Sequence, residues 1–450
     1  MNAPKDLAKL LGPKKVSAAP KDFNRVSRDF AGHDLGRALA VVRPASTEDV
    51  RKLVLWARRT KTPLTPCGAL TSFWASTRVT GRVALDMRGM AKLLAVDPLE
   101  GVARAQAGLS VAALDAALGK KGLTLAAAPD GFGDAVVATL AANDTVAGLG
   151  QYAGAASGQL VGLEVVLGTG EVLRTGASSV LAGLPAFARE GLPDPTGLFL
   201  ASEGTLGVVT EVLVRARPKP ARGLWSARVP SSPDGFKRLA EAARGLRGAA
   251  GVERVLLESW VTMRGEEVLV ELSAEDEPGL AARAERVAAE FSRRGLPAPE
   301  RKEAGPRWGE RPAGKENWRG VSLQVPHTNI GTLYGLWLSE LRGRVGGVAS
   351  PEGFLRVYLN AYGCAALFGW SFPAGEAVEA RSAELERALR ARVGPLGVPY
   401  RAGTVWRAAL DGRLDPAYAG VLRAVKALCD PDGILNPGTG VVDSALRRAR

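Results

Sequence analysis

The sequence predicts an α+β fold in two domains. The first, residues 1–220, alternates short strands with short helices. The second, residues 221–414, is an antiparallel sheet with helices on one face, and residues 415–450 return to the first. Three observations lead to this division. A chain of 450 residues exceeds what a single core usually serves. The prolines of "VRARPKP" close the last apolar run of the first part near residue 218. Beyond them one pattern, strand, helix, strand, strand, helix, occurs twice.

Taken in order, "AVVRPASTEDVRKLVLWARRT" (40–60) opens with a short apolar strand and turns at Arg43-Pro44. Ser46 then caps a helix whose first turn is acidic and whose Val50, Leu53, Val54 and Ala57 share one face. "KTPLTPCGALTS" (61–72) is a strand running into a loop, "RVALDMRGM" and "VARAQAGLS" are strands, and "SVAALDAALGKKG" is a helix stopped by Gly122. Residues 123–160 are dominated by glycine, alanine and small polar residues, too small to build a core and suited to irregular backbone wrapped around something else. "VGLEVVLGTGEVLRTG" (161–176) reads as a hairpin. In the second part "GLWSARVP", "DGFKRLAEAARGLRG", "VERVLLESWV", "EEVLVELS" and "GLAARAERVAAEFSRRG" form the first unit of the repeat. The second runs from "VSLQVPH" through "IGTLYGLWLSELRG", "GFLRVYLNAYG" and "CAALFGWSF" to "GEAVEARSAELERALRARVG". Two split βαβ-type units side by side suggest one sheet.

Composition excludes several classes. No apolar run is long enough for a transmembrane segment, and the N-terminal stretch is a poor signal peptide, so a cytoplasmic location, peripheral to the inner membrane at most, is expected. Cys67, Cys364 and Cys429 lie far apart, and only two histidines, His33 and His327, exist, so no metal centre is expected. The net charge of +13 is spread over the chain without aromatic-and-basic clustering, which reads as a solvated basic surface rather than a nucleic-acid face. His33, in "DFAGHDLG", is expected at the surface.

Four loops of small residues stand out: "PCGALTS" (66–72), "TLAAN" (139–143), "YAGAASG" (152–158) and "SEGTLGV" (202–208). The last lies within "FLASEGTLGVVTEV", a strand-like run interrupted by Gly204 and Gly207, as happens where something approaches the backbone closely. Such loops suit a long ligand held by main-chain N–H groups, with hydroxyls meeting phosphate oxygens. No GxGxxG follows a strand, and neither GxxxxGK[ST], GxSxG nor HExxH occurs.

In this order, "VVRPASTEDV", "PLTPCGALTS", "AGLSVAALDAAL", "ATLAANDTVAGLG", "QLVGLEVVLGTGEV", "SEGTLGVVTEV" and "DPDGILNPG" resemble the FAD-linked oxidase family of the vanillyl-alcohol-oxidase type, with its PCMH-type FAD-binding domain of two subdomains. The resemblance is close over 38–218, clear at 428–438 and confined to layout over 221–414. It implies non-covalent FAD, because no histidine lies in these loops and Cys67 is not at a usual tethering position. The cofactor residues it implies are Pro66, Cys67, Gly68, Ala69, Leu70, Thr71 and Ser72 in the pyrophosphate loop; Pro129 and Asp130; Thr139, Ala142, Asn143 and Gly148; Gly154 and Ala155; Glu203, Gly204, Gly207, Val208 and Val209; and Asn436 in the C-terminal loop. Ala69 and Leu70, and Ala141-Ala142, stand where the family has glycines.

The function implied is oxidation of a small hydroxylated substrate, a 2-hydroxy acid among the candidates, by hydride transfer to flavin N5. His327, Arg401 and Tyr362 are the catalytic candidates: His327 ends a strand, Arg401 can pair with a substrate carboxylate, and Tyr362 can support proton transfer. The histidine-rich metal motif of the family's D-2-hydroxy-acid dehydrogenases is missing, which disfavours a metal-dependent mechanism. The alternative is a catalytically silent FAD-binding subunit of a glycolate-oxidase-like complex with an iron–sulfur partner. The electron acceptor is left open.

Overall fold

The structure is a computed structural model that describes residues 3–17, 19–129, 133–143, 148–150, 152, 155–180, 187–191, 193–262, 265–303, 317–348, 352–410 and 412–447. Its first sheet has four strands, β1 (Val16–Ser17), β2 (Ala40–Val42), β3 (Leu64–Cys67) and β4 (Val83–Asp86), in the order β1-β2-β4-β3. β2 and β3 flank β4 in parallel, as the intervening helix Thr47–Thr60 requires. That helix starts as its sequence dictates: the Ser46 hydroxyl accepts from the Asp49 N–H at 3.2 Å. Its apolar face meets the sheet in a core containing Val42, Leu53, Leu64, Leu85 and, from the far end of the chain, Ile434. The C-terminal loop lies along β3, with Leu64 N–H on Ile434 O at 2.8 Å and Asn436 N–H on Leu64 O at 2.9 Å.

The second sheet is antiparallel. β5 (Leu93–Asp97) and β6 (Val102–Gln106) form one edge, and β7 (Leu123–Leu125) pairs separately. β8 (Ala128–Pro129) and β9 (Gly148–Leu149) make a two-stranded ribbon within the small-residue region. β10 (Leu160–Leu167) and β11 (Val172–Arg174) are the expected hairpin, and the long β12 (Gly207–Pro218) joins β10, β6 and β7. β5 escaped the sequence reading because its apolar residues Leu93 and Leu94 face solvent on an edge.

The third sheet carries β13 (Ala221–Val229), β14 (Val252–Trp260), β15 (Glu266–Ala274), β16 (Glu300–Lys302), β17 (Asn317–Val325), β18 (Gly353–Asn360), β19 (Gly363–Phe372) and β20 (Val398–Pro399). The order β16-β13-β15-β14-β18-β19-β17-β20 is nearly palindromic about the antiparallel β14–β18 pair. Each half contributes strand, helix, strand, strand, helix. The first helices of the two halves, Pro233–Gly245 and Ile330–Leu336, meet through Phe236 and Tyr334, stacked 4.3 Å apart. Buried indoles in this core are satisfied locally: Trp337 donates to Ser259 Oγ and Trp370 to Ser382 Oγ, both at 2.7 Å. Among the described residues, no helix is long and apolar enough to cross a membrane.

The surface position expected for His33 is corrected: it is 8% exposed. Its Nδ1 lies 3.0 Å from Asp29, and its Nε2 lies 3.7 Å from Glu386 on the helix Glu376–Val393. Burial alone would push its pKa down, but the bonds to Asp29 and Glu386 outweigh it and hold the imidazole at about 9. Polar neighbours hid this position, because Asp29 and Glu386 are themselves buried beside it. The raised value means that the stabilisation is complete below His33's ordinary pKa of 6.5 and is lost as pH rises through about 9. Urea denaturation should therefore give His33→Gln a deficit of about 2 kcal/mol near pH ~6, shrinking towards zero above pH ~9.

Candidate functional site

A cavity of roughly 790 Å³ opens where the first two sheets meet, and three of the four small-residue loops line it. Pro66, Gly68, Ala69, Leu70, Thr71 and Ser72 form one wall. Thr139, Ala142 and Asn143 form the second, on a short helix closed by Asn143 Nδ2 donating to Thr139 Oγ1 at 2.7 Å. Glu203, Gly204, Gly207 and Val209 form the third. The second and third walls are bonded together: Glu203 N–H donates to Ala142 O at 3.1 Å, and Ala201 N–H to Ala141 O at 3.0 Å.

Small residues are needed here for two reasons. A Cβ on Gly68 would come within 2.7 Å of Val136 Cγ2, so the loop passes tightly over its neighbour. Gly204 has φ +73°, and a Cβ there would stand 2.8 Å from Pro66 Cγ. Backbone strain gathers at the same place. Of six non-glycine residues with positive φ among those described, Leu70, Ala75, Ala201, Glu203 and Asn436 lie on or directly behind the wall. Leu70, standing where the resembled family has glycine, keeps the glycine conformation at φ +56°.

The remaining predicted positions fall elsewhere. Cys67 and Val208 alternate with cavity-facing neighbours on their strands and so point into the core. Burial, and then the charge of Asp86, push the Cys67 thiol up to about 12. Pro129 pairs with Gly148 in the β8–β9 ribbon. Asp130 and Gly154 lie outside the described residues. Asn436 braces the cavity from behind, fully buried, its Nδ2 donating to Ser76 O at 2.9 Å and Glu203 O at 2.8 Å.

Ala155 and Tyr362 border a second cavity of about 870 Å³ beneath the β17–β20 edge. Tyr362 is 73% exposed, with Arg247 over its ring at 4.8 Å. His327 follows β17, and its pKa is lowered by burial and then by Arg244, so the imidazole is neutral at pH 7. Arg401, by contrast, is near the first cavity. Its guanidinium lies 4.7 Å from the Trp74 ring and 5.0 Å from Tyr400, and its charge reaches Glu203.

Ser76, Thr77, Met87, Val136 and Ala138 also line the first cavity and were missed from sequence. The polar run "SFWASTR" after the first loop was the available signal for Ser76 and Thr77. Ser76 Oγ and Glu203 Oε2 are buried without a hydrogen-bond partner. A cradle with threonine and serine hydroxyls, two unsatisfied oxygens and no lysine or arginine on its wall fits a dinucleotide whose phosphates meet neutral donors.

A family described as FAD binding domain matches residues 38–176. Those residues are an FAD binding domain. An uncharacterized FAD-linked oxidoreductase of Mycobacterium tuberculosis is 34% identical over 203 residues, 45% of this chain and 42% of the relative. The glycolate oxidase subunit GlcD of Bacillus subtilis is 31% identical over 187 residues, 40% of this chain and 37% of the relative. The chain thus spans less than half the length of these curated relatives. Among solved structures, 4-ethylphenol oxidase from Gulosibacter chungangensis aligns with a TM-score of 0.79 at 18% identity, covering 97% of this chain and 96% of that one. p-Cresol methylhydroxylase aligns at 0.78 and 16%, covering 97% and 95%. The fold of this FAD-binding chain is therefore that of the vanillyl-alcohol-oxidase type, and its cofactor is FAD.

If the first cavity is the FAD cradle, closing it should cost binding more than folding. Gly204→Val, placing a β-branched residue at φ +73° against Pro66, should lower FAD affinity at least about tenfold in fluorescence titrations. The fold itself should lose only about 1–3 kcal/mol.

Proposed function

We propose that the chain is an FAD-dependent oxidoreductase acting on a small hydroxylated substrate with an anionic oxygen, a 2-hydroxy acid being the leading class. The observation that carries this reading is Arg401 standing beside a dinucleotide-sized cradle. FAD, once bound, supplies the hydride acceptor, which no side chain can provide. Arg401 supplies orientation: its guanidinium fork suits a carboxylate, and stacking between Trp74 and Tyr400 limits how it can turn. His327, neutral at pH 7, is the proposed proton acceptor, and Tyr362 belongs to the rim of the second cavity. Relatives named D-2-hydroxyglutarate dehydrogenase (28% identical) and D-lactate dehydrogenase (27%) support the acid class. The buried Cys67 thiol, facing away from the cavity, supports non-covalent attachment.

A second reading is a silent FAD-binding subunit partnered by an iron–sulfur protein. The subunit name of the Bacillus subtilis relative supports it.

Anaerobic addition of D-lactate, glycolate, D-2-hydroxyglutarate or 4-ethylphenol to the FAD-loaded protein separates the two. Bleaching of the visible flavin band by one of them supports the enzyme; a band untouched by all of them supports the silent subunit. With a bleaching substrate in hand, Arg401→Lys should raise KM by about 10- to 100-fold, the loss of one paired charge-assisted contact, and change kcat much less. Acid precipitation should leave the flavin in the supernatant; flavin retained in the pellet would overturn non-covalent attachment.

A further inference from the structure

Glu203 is an unusual residue to find on the wall of a cavity for an anionic dinucleotide. It is 7% exposed, has φ +52°, and is the only acidic residue on that wall. Its two carboxyl oxygens have different surroundings. Oε1 accepts the Gly403 N–H at 2.9 Å, while Oε2 is buried with no hydrogen-bond partner, close against Gly440. Its backbone is pinned as well, N–H on Ala142 O and carbonyl under Asn436 Nδ2, so the side chain cannot swing out to water.

We infer that Glu203 takes up a proton when FAD binds, so that a neutral carboxyl group, rather than a carboxylate, faces the cofactor's phosphates. The inference rests on the FAD reading of the cavity and goes beyond it, because it assigns a proton to one residue. A carboxylate buried beside an incoming diphosphate is a like-charge pair in a poorly solvated space, and protonation relieves it. As an acid, Oε2–H gains a donor that it can offer to a ligand oxygen, which turns the orphaned atom into a contact.

Arg401 is the charged group whose field reaches Glu203 from the 400–403 loop. The charged groups of the C-terminal side are engaged elsewhere: Arg82 donates to Pro437 O at 2.6 Å, and Arg407 donates to Gly438 O at 2.9 Å and lies 3.5 Å from Asp443. Burial raises the Glu203 pKa to about 7 even though the Gly403 N–H and Arg401 pull it down. The cavity is thus poised near neutrality before any phosphate arrives. Below about 7 the carboxyl is already neutral and affinity is independent of pH. Above it, binding must draw a proton from solvent, and affinity falls by up to about tenfold per pH unit.

Titration of FAD into cofactor-free protein, followed by flavin fluorescence between pH ~6 and ~9, tests this. The expected result is a wild-type affinity that declines above neutrality and a Glu203→Gln protein that keeps the Gly403 bond and shows a flat profile. Calorimetry in two buffers of different ionisation enthalpy should count close to one proton taken up at pH ~8 and close to none at pH ~6. A proton count of zero at the higher pH, or the same decline in Glu203→Gln, overturns the inference while leaving the FAD assignment intact. Wild-type protein that fails to bind FAD at the lower pH overturns the cofactor reading itself. The proton count uses the wild-type chain, so the test stands even if the variant does not fold.

Discussion

One buried ammonium group holds the cavity together. Lys426, 5% exposed, donates to Thr205 O at 2.6 Å, to Asp430 Oδ2 at 2.6 Å and to Leu435 O at 3.2 Å. All three acceptors are needed, because a desolvated charge is tolerable only when it is paired and fully bonded. Asp430 in turn accepts from Ile434 N–H at 3.1 Å and Leu435 N–H at 2.8 Å, which turns the chain back from the helix Pro416–Cys429 along β3. Lys426 therefore sets the position of the 202–207 turn and of the C-terminal loop at once. Asn436 reaches Ser76 and Glu203 only because that loop is already in place.

The loops around the cofactor site bury little apolar surface of their own, and aromatic residues make up the difference. Phe73 and Trp74 follow the first loop directly. Phe73 meets Phe30 at 4.9 Å, Trp74 meets Tyr400 at 5.8 Å, and Phe30 continues to Trp318 at 6.3 Å. Each such pair adds about 0.5–1.5 kcal/mol beyond area burial. The seam lets glycine and alanine line the cavity without leaving the wall loose. It also carries Arg401, whose charge rests on Trp74 and Tyr400.

The parts of this architecture legible in sequence were those with local causes. The Ser46 cap, the 161–176 hairpin and the four small-residue loops each announce themselves within a dozen residues. Single positions within the loops were harder. Cys67 and Val208 belong to the right segments and face the wrong way, because strand phase is set by pairing partners distant in sequence. Lys426 reads as a solvent-facing charge on a helix, and His33 as part of a polar entry segment. Both are buried by segments hundreds of residues away, and their partners are ordinary charged or main-chain groups with no motif to mark them. Arg401 was nameable as an anion anchor, while its seat on Trp74 was not, since residues 74 and 401 become neighbours only through the third sheet.

The Lys426–Thr205 bond spans 221 residues of chain. During synthesis the first three loops leave the ribosome long before the lysine that secures them exists, and the whole repeated sheet is made in between. The cofactor cradle is thus completed last, by the chain's final segment. Until then its strained turns and small-residue loops have no brace, and no stable holding site for FAD can form on the nascent polypeptide. Flavin insertion in this protein is accordingly a post-translational event, and the pool of free flavin sets how long each finished chain waits for it.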